Sequence, residues 1–136
     1  MALAIASTAA QLPSYCGTCQ SFGVDFLDQG SYFQDSTSTN NFTAVQEFRG
    51  CDSDVSNNIL VLPNGDQLEC GDTPISPDDT LQPLSCPITK NQLTSGDYSL
   101  LVISNNGQCN PIDYMREFHI DVGTQTTTTV SPTIII

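Results

Sequence analysis

The stretch GDYSLLVIS, residues 96–104, places Tyr98, Leu100 and Val102 at alternating positions. Successive side chains of a β-strand point to opposite faces of the sheet, so a spacing of two puts these three on one face. The stretch therefore predicts a strand with one buried face.

The segment that follows predicts the partner of this strand. SNNGQCNP, residues 104–111, is rich in the Asn, Gly and Pro residues that favour turns. Alternating apolar residues then return at Tyr114, Phe118, Ile120 and Val122. We expect the two stretches to pair as neighbouring antiparallel strands.

Strand patterns recur along the rest of the chain, and no segment of ten or more residues has convincing helical spacing. The turn signal PNGD, residues 63–66, predicts a hairpin whose first strand is apolar on both faces. The other alternating residues are Phe22, Val24 and Phe26; Phe42 and Phe48; Ile59 to Leu62, then Leu68 and Cys70; and Leu84, Cys86 and Ile88. About seven short strands predict an all-β, antiparallel β-sandwich.

Three irregular segments separate these strands. Residues 34–41 are polar, residues 71–83 contain three prolines that disfavour a central strand, and residues 104–113 form the turn-rich connection. Long loops are where a sandwich commonly carries its binding residues. We expect these loops to be the contact surfaces.

The pair Cys16 and Cys19 raises the question of a redox or metal site. A redox C-x-x-C needs a helix that begins beside its first thiol, but the residues after Cys19 alternate like a strand. A zinc site needs four converging ligands, and the remaining cysteines lie far apart, with a single histidine in the chain. Six cysteines in a chain with a signal-like start therefore predict three structural disulfides.

The spacing of the cysteines favours certain pairings among the 15 connectivities that six cysteines allow. Cys70 and Cys86 bracket a loop of a suitable length. Cys16 and Cys19 are expected to pair with Cys51 and Cys109 rather than with each other, because a four-residue ring removes little chain entropy. Which of the two pairs with which stays open.

The net charge and the composition of the two chain ends limit which partners and which location fit the sequence. The formal net charge is −12, which disfavours nucleic acid and anionic membrane surfaces as partners, and no segment is long and apolar enough for a membrane-spanning helix. Residues 1–10 resemble the end of a secretory signal peptide, residues 11–123 form the predicted domain, and residues 124–136 are Thr-rich like an O-glycosylated stalk. We expect a secreted, acidic protein.

Few residues carry recognisable chemistry. Asn41 begins the sequence Asn-Phe-Thr, an acceptor for N-glycosylation. Asp52 and Asp54 offer oxygen ligands for calcium, but the Gly and Glu that an EF-hand loop needs are missing, so an acidic turn is favoured. His119 lies on the opposite strand face to Phe118, which indicates a surface histidine rather than a general base. We expect no metal, no cofactor and no enzymatic activity.

A resemblance to known sandwiches starts from Gly96, Tyr98 and Leu100. This G-x-Y-x-L pattern resembles the penultimate strand of immunoglobulin-like sandwiches, which implies that Tyr98 forms a tyrosine corner. Together with Phe118, Ile120 and the tail from Thr124, it resembles a fungal, Ser/Thr-rich, GPI-anchored cell-wall family with an N-terminal Ig-like domain. The resemblance implies a non-enzymatic module at a cell wall.

Three functions remain open at this level. The first is a structural or glycan-contacting wall module, with Tyr32, Phe33 and Tyr114 as the candidate aromatics for stacking on a polysaccharide. The second is a small secreted effector or inhibitor that binds an extracellular protein. The third is an acid-adapted glycoside hydrolase, which needs two carboxylates brought together by folding.

Overall fold

The computed structural model describes residues 12–124. Eight strands form in this part of the chain, with one short 3-10 turn at Lys90–Gln92. The strands are β1 (Gln20–Gly23), β2 (Ser31–Asp35), β3 (Asn41–Arg49), β4 (Val55–Val61), β5 (Gln67–Pro74), β6 (Gln82–Thr89), β7 (Gly96–Ser104) and β8 (Ile112–Gly123).

The strands form two sheets packed face to face. One sheet has the order β1-β3-β6, and the other has the order β2-β8-β7-β4-β5. The pair predicted from residues 96–122 is the centre of the larger sheet: β7 and β8 pair from Gly96 opposite Ile120 to Ser104 opposite Ile112. The predicted Ig-like β-sandwich is confirmed, with eight strands in place of about seven.

The core between the sheets is apolar and aromatic at one end. Phe26 contacts the rings of Tyr32, Phe42 and Phe118, with centroid distances of 4.8, 5.0 and 5.1 Å. These residues come from the β1–β2 connection and from both sheets. Because aromatic pairs contribute beyond their buried area, this cluster fixes how the two sheets sit against each other.

The core also contains a group of buried polar side chains. Gln46 on β3 donates to Asn58 on β4 and to Thr73 on β5, at 3.0 and 2.8 Å, and all three side chains are fully buried. Arg116 on β8 is only 7% exposed and donates to the Gln46 side chain at 2.9 Å. Burial lowers the pKa of Arg116, because desolvation disfavours its charged form. Hydrogen bonds offset much of the cost of burying these groups.

The structure contains three disulfides, as the sequence predicted. They join Cys16 to Cys109, Cys19 to Cys51, and Cys70 to Cys86. The last one links β5 to β6, which are edge strands of different sheets. The first two join the N-terminal segment to the β7–β8 connection and to the β3–β4 connection. Cys16 and Cys19 therefore belong to separate cross-links.

The sequence predicted one strand with a single buried face over residues 22–26, and this prediction was wrong. β1 ends at Gly23, and Phe22 and Val24 are exposed while Phe26 is buried. β1 is an edge strand of only four residues, so its alternation does not continue into the next segment. Phe26 enters the core from the connection that follows.

The sequence pattern did not predict strand β2, and the polar loop predicted at residues 34–41 is correspondingly shorter. β2 pairs in parallel with the end of β8, with Ser31 opposite His119 and Asp35 opposite Gly123. It is the one parallel pair among the strands described, within a sandwich predicted to be antiparallel. The connection to β3 covers only residues 36–40.

The predicted loop at residues 71–83 is also shorter than expected. β5 continues to Pro74 and β6 begins at Gln82. Proline is tolerated here because each strand lies at the edge of its sheet, where one side needs no backbone donor.

Candidate functional site

The outer face of the five-stranded sheet carries a row of apolar side chains. The register places Ile59 on β4 opposite Leu101 on β7, and Leu101 opposite Met115 on β8. Their neighbours along the strands, Leu60 and Leu100 among them, point inward and are buried. The row therefore faces away from the core.

Two further apolar residues widen this row into a band. Val61 and Ile103 lie two positions along β4 and β7 from the row, on the same face. Met115 is 54% exposed and Ile103 is 38% exposed. We call the set Ile59, Val61, Leu101, Ile103 and Met115 the apolar band.

Carboxylates surround the apolar band. Glu69 on β5 lies opposite Ile59 and extends the row by one strand. Asp113 and Glu117 lie two positions before and after Met115 on β8, and so share its face. Within residues 12–124, no ion pair involves any of these three acids.

The three Lys and Arg side chains of the sequence lie elsewhere. Arg49 is on β3 of the other sheet, Lys90 is in the 3-10 turn, and Arg116 is buried in the core. The face that carries the apolar band therefore presents acids without Lys or Arg.

His119 lies at one end of this face and is held between two carboxylates. Its Nδ1 lies 2.9 Å from Asp97 Oδ1 and its Nε2 lies 3.0 Å from Asp121 Oδ1. Hydrogen bonds to Asp97 and to Asp121 raise the pKa of His119, because both bonds favour the doubly protonated ring. Both ring nitrogens of His119 are therefore engaged by carboxylates of the same sheet face.

The outer face of the three-stranded sheet differs, because its larger side chains contact one another. Arg49 donates to Asp79 at 2.8 Å, and its guanidinium lies 5.8 Å from the centre of the Phe22 ring. Side-chain hydrogen bonds to Asp79 raise the pKa of Arg49. Asn41 and Thr43, the first and third residues of the glycosylation sequence, are exposed on this face.

Asp52 and Asp54 do not form a free acidic turn. The Asp54 carboxylate accepts from the backbone N–H of Gly107 at 2.8 Å, and the Asp52 carboxylate accepts from that of Gln108 at 2.9 Å. The Gln108 bond is the main reason that the pKa of Asp52 is lowered. Both oxygens suggested for calcium thus fasten the β3–β4 loop to the β7–β8 loop.

The β7–β8 loop requires a glycine at its closest approach to Asp52. Gly107 has a φ of +58°, and a Cβ there would come within 2.3 Å of the Asp52 carboxylate. Its neighbour Asn106 is buried and accepts from the Asp52 backbone N–H at 2.7 Å. The Cys16–Cys109 disulfide adds a covalent link from the same loop to the N-terminal segment.

The three candidate aromatics do not form one platform. Tyr32 packs in the aromatic core, where its hydroxyl accepts from the Leu27 N–H at 2.7 Å. Tyr114 is half-buried and donates to the Cys19 carbonyl at 2.7 Å. Phe33 is 51% exposed on the outer face of β2. Tyr114 and Ile120, which lies opposite Tyr32, are six positions or roughly 20 Å apart along β8.

Tyr98 has the contacts of a tyrosine corner. Its side chain is 1% exposed, and its hydroxyl donates to the Thr94 carbonyl at 2.6 Å and accepts from the Thr94 N–H at 3.1 Å. The connection that leads into β7 is thereby fixed to the strand itself.

The described residues contain neither a metal-binding cluster nor a membrane-spanning helix. Within residues 12–124, no group of three or more His, Cys, Asp or Glu side chains is arranged to hold a metal ion. No helix in this part of the chain is long and apolar enough to cross a membrane. The predicted signal segment, residues 1–10, and nearly all of the predicted stalk lie outside the described residues.

Comparison with known proteins found similarity of structure only. No protein-family model and no curated protein matches the sequence. Among solved structures, the chain is similar to murine CRIg, with 11% sequence identity, a TM-score of 0.44, and coverage of 79% of this chain and 100% of that chain.

Proposed function

We propose that this protein is a secreted, non-enzymatic Ig-like module that binds a protein partner through the outer face of its five-stranded sheet. The observation that carries the proposal is the apolar band, in which Ile59, Leu101 and Met115 lie opposite one another across three strands. The three disulfides support an oxidising, extracellular location.

The apolar band has the properties of a binding surface. Met115 and Ile103 are exposed, and the outward-facing Ile59, Val61 and Leu101 beside them are half-buried. A contiguous outward apolar patch with a polar rim is typical of interaction sites, because water is released from it when a partner covers it. Glu69, Asp113 and Glu117 supply the polar rim. A sheet face is also rigid, so little conformational entropy is lost when a partner docks.

The glycosylation sequence supports the same choice of face. Asn41 is exposed on the outer face of the three-stranded sheet, on the other side of the sandwich from the apolar band. A glycan attached there would shield that side and leave the five-stranded sheet open to a partner.

A wall module that contacts a polysaccharide is the second candidate. Phe33 favours it, since its exposed ring offers a surface on which a sugar can stack. The Thr-rich residues from 124 onward and the resemblance on Gly96, Tyr98 and Leu100 support a place on a fungal cell wall. Tyr32 and Tyr114 give it less support, because both hydroxyls are bonded within the protein.

A pull-down with matched variants tests the proposal. The full chain, the variant Met115→Ser and the control variant Phe22→Ser are immobilised and exposed to the secreted proteins of the source organism. Insoluble β-glucan, chitin and mannan are assayed in parallel. Phe22 is the control because it is an exposed apolar residue of the other sheet, at 40%.

We expect the chain and Phe22→Ser to retain the same protein and Met115→Ser to lose it. Retention of that protein by all three baits would contradict the choice of face. Binding to one polysaccharide that is lost on Phe33→Ser, with no protein retained, would favour the wall module instead.

A further inference from the structure

We infer that the partner presents a cationic rim around an apolar centre, and that two copies of this chain do not pair through the apolar band. The inference rests on the proposed function, because it concerns the chemistry of the same surface. It follows from the positions of the charges around the band.

The acids lie close enough to the band to contact the rim of a docked partner. Asp113 and Glu117 lie two residues from Met115 along β8, a distance of roughly 7 Å. Glu69 lies three strands from Met115 in the same row, which is roughly 14 Å. Acids thus lie on both sides of the apolar band: Glu69 on β5, and Asp113 and Glu117 on β8.

These carboxylates act on a partner beyond contact distance. Charges interact across a Debye length, about 8 Å at physiological ionic strength, and a docked partner also displaces water between them. Glu69, Asp113 and Glu117 have no ion-pair partner within residues 12–124 that would have to be displaced first. Lys or Arg side chains on a partner would meet carboxylates that are not already paired.

The same charges disfavour a second copy of the chain as the occupant. A two-fold dimer brings the same patch of both subunits together. The apolar band would then bring Glu69, Asp113 and Glu117 of both copies into one interface, with none of the three Lys and Arg residues to pair with them. Each chain also has a formal charge of −12. Like charges placed together at an interface suppress that pairing.

A defined probe tests the partner chemistry. A display library of small three-helix domains, half with a positive and half with an equally negative surface charge, is selected on the full chain. Each selected domain is then measured against Met115→Ser, against Phe22→Ser, and against the triple variant Glu69→Gln, Asp113→Asn, Glu117→Gln. The triple variant keeps the apolar band and removes the acids around it. Thermal unfolding of each variant confirms that it folds.

We expect the domains that depend on Met115 to carry Lys or Arg around an apolar patch. Their affinity should fall about ten-fold on the triple variant and should fall as salt is raised, because charges at a rim act mainly through screened attraction. Phe22→Ser should leave both the affinity and its dependence on salt unchanged.

The outcomes separate the inference from the proposed function. If Met115-dependent domains carry no excess positive charge, or bind the triple variant equally well, the inference is wrong and the face remains a binding surface. If no selected domain depends on Met115, the proposed function itself fails. If the chain alone forms a dimer in sedimentation that Met115→Ser abolishes, the occupant is a second copy and the inference is wrong.

Discussion

The two outer faces of this sandwich are made of similar alternating strands, yet they use their outward side chains differently. On the three-stranded sheet, Arg49 pairs with Asp79 and covers the ring of Phe22. On the five-stranded sheet, Leu101 and Met115 face outward beside Asp113 and Glu117, which form no ion pair within residues 12–124. Contacts within the chain contribute to stability, whereas side chains that lack such contacts remain available for binding. Substitutions at the Arg49, Asp79 and Phe22 contacts of the first face should therefore change stability, and substitutions in the apolar band should change affinity.

The largest effect is expected at the centre of the apolar band. Leu101 lies between Ile59 and Met115, so Leu101→Asp would place a charge in the middle of the covered surface. Hot-spot residues, which cluster near the centre of an interface, contribute about 2 kcal/mol or more, which corresponds to roughly 30-fold in affinity. We expect at least that loss, measured by calorimetry with a domain selected from the display library. The matched variant Val45→Asp, half-buried on the outer face of β3, should bind normally; equal losses from both variants would remove the distinction between the faces.

A smaller effect, on stability alone, is expected at Arg49. Arg49→Gln removes the ion pair with Asp79 and the contact with Phe22. Both contacts are exposed, so the Tm should fall only slightly, and less in high salt than in low salt. Affinity for the selected domain should not change. A loss of affinity would show that the three-stranded face takes part in binding.

At His119, stability and binding should respond to pH in opposite directions. The pKa of His119 is raised in the folded state by Asp97 and Asp121, so its contribution to stability is complete below the unfolded pKa and is lost as pH rises through the folded pKa. Binding of a cationic domain should strengthen slightly over the same range, because the face loses a positive charge. Thermal unfolding and titrations from pH 5 to 9 measure both trends. His119→Gln should abolish both; trends that persist in this variant would have another origin.

The smallest effect is expected at Asn41, whose side chain is exposed on the three-stranded sheet. Asn41→Gln should remove the predicted glycan, seen as a loss of mass in protein from a host that secretes and glycosylates it, and should leave affinity for the selected domain unchanged. A glycan that interferes with binding would place the binding surface on the other side of the sandwich.

Local alternation was enough to predict the sandwich but not the positions of all its strands. β7 and β8 are long and bury every second residue over most of their length, so their period of two is clear in the sequence, whereas β3 shows it only weakly through Phe42 and Phe48. β2 has only five residues and pairs with β8, which lies far away along the chain. A short strand with a distant parallel partner leaves little local signal.

The apolar band could be predicted only in part from the sequence. Ile59 to Leu62 are apolar on both strand faces, and residues 100–103 are apolar in the same way. Such runs indicate that the outward face is apolar as well, but the sequence does not show that β4 and β7 are neighbours. Only the register brings Ile59 and Leu101 together.

The polar contacts of the core and of the loops could not be predicted from the sequence, for a different reason. Gln46, Asn58 and Thr73 have the composition of surface residues, and their burial depends on hydrogen bonds between three separate strands. Asp52 and Asp54 were recognised as oxygen donors, but the amides that they bind lie more than 50 positions away. Contacts between residues so distant in the chain have no spacing from which to predict them.

The most direct test of the binding face uses Met115 as a reporter. The sequence has two methionines, and Met115 is the one in the described residues, where it is an exposed member of the apolar band. The rate at which dilute peroxide converts it to the sulfoxide is measured in the full chain, alone and saturated with domains that were selected on the unaltered chain. If the apolar band is the binding face, bound domains will slow the oxidation of Met115 at least ten-fold. An unchanged rate in a saturated complex would contradict the account.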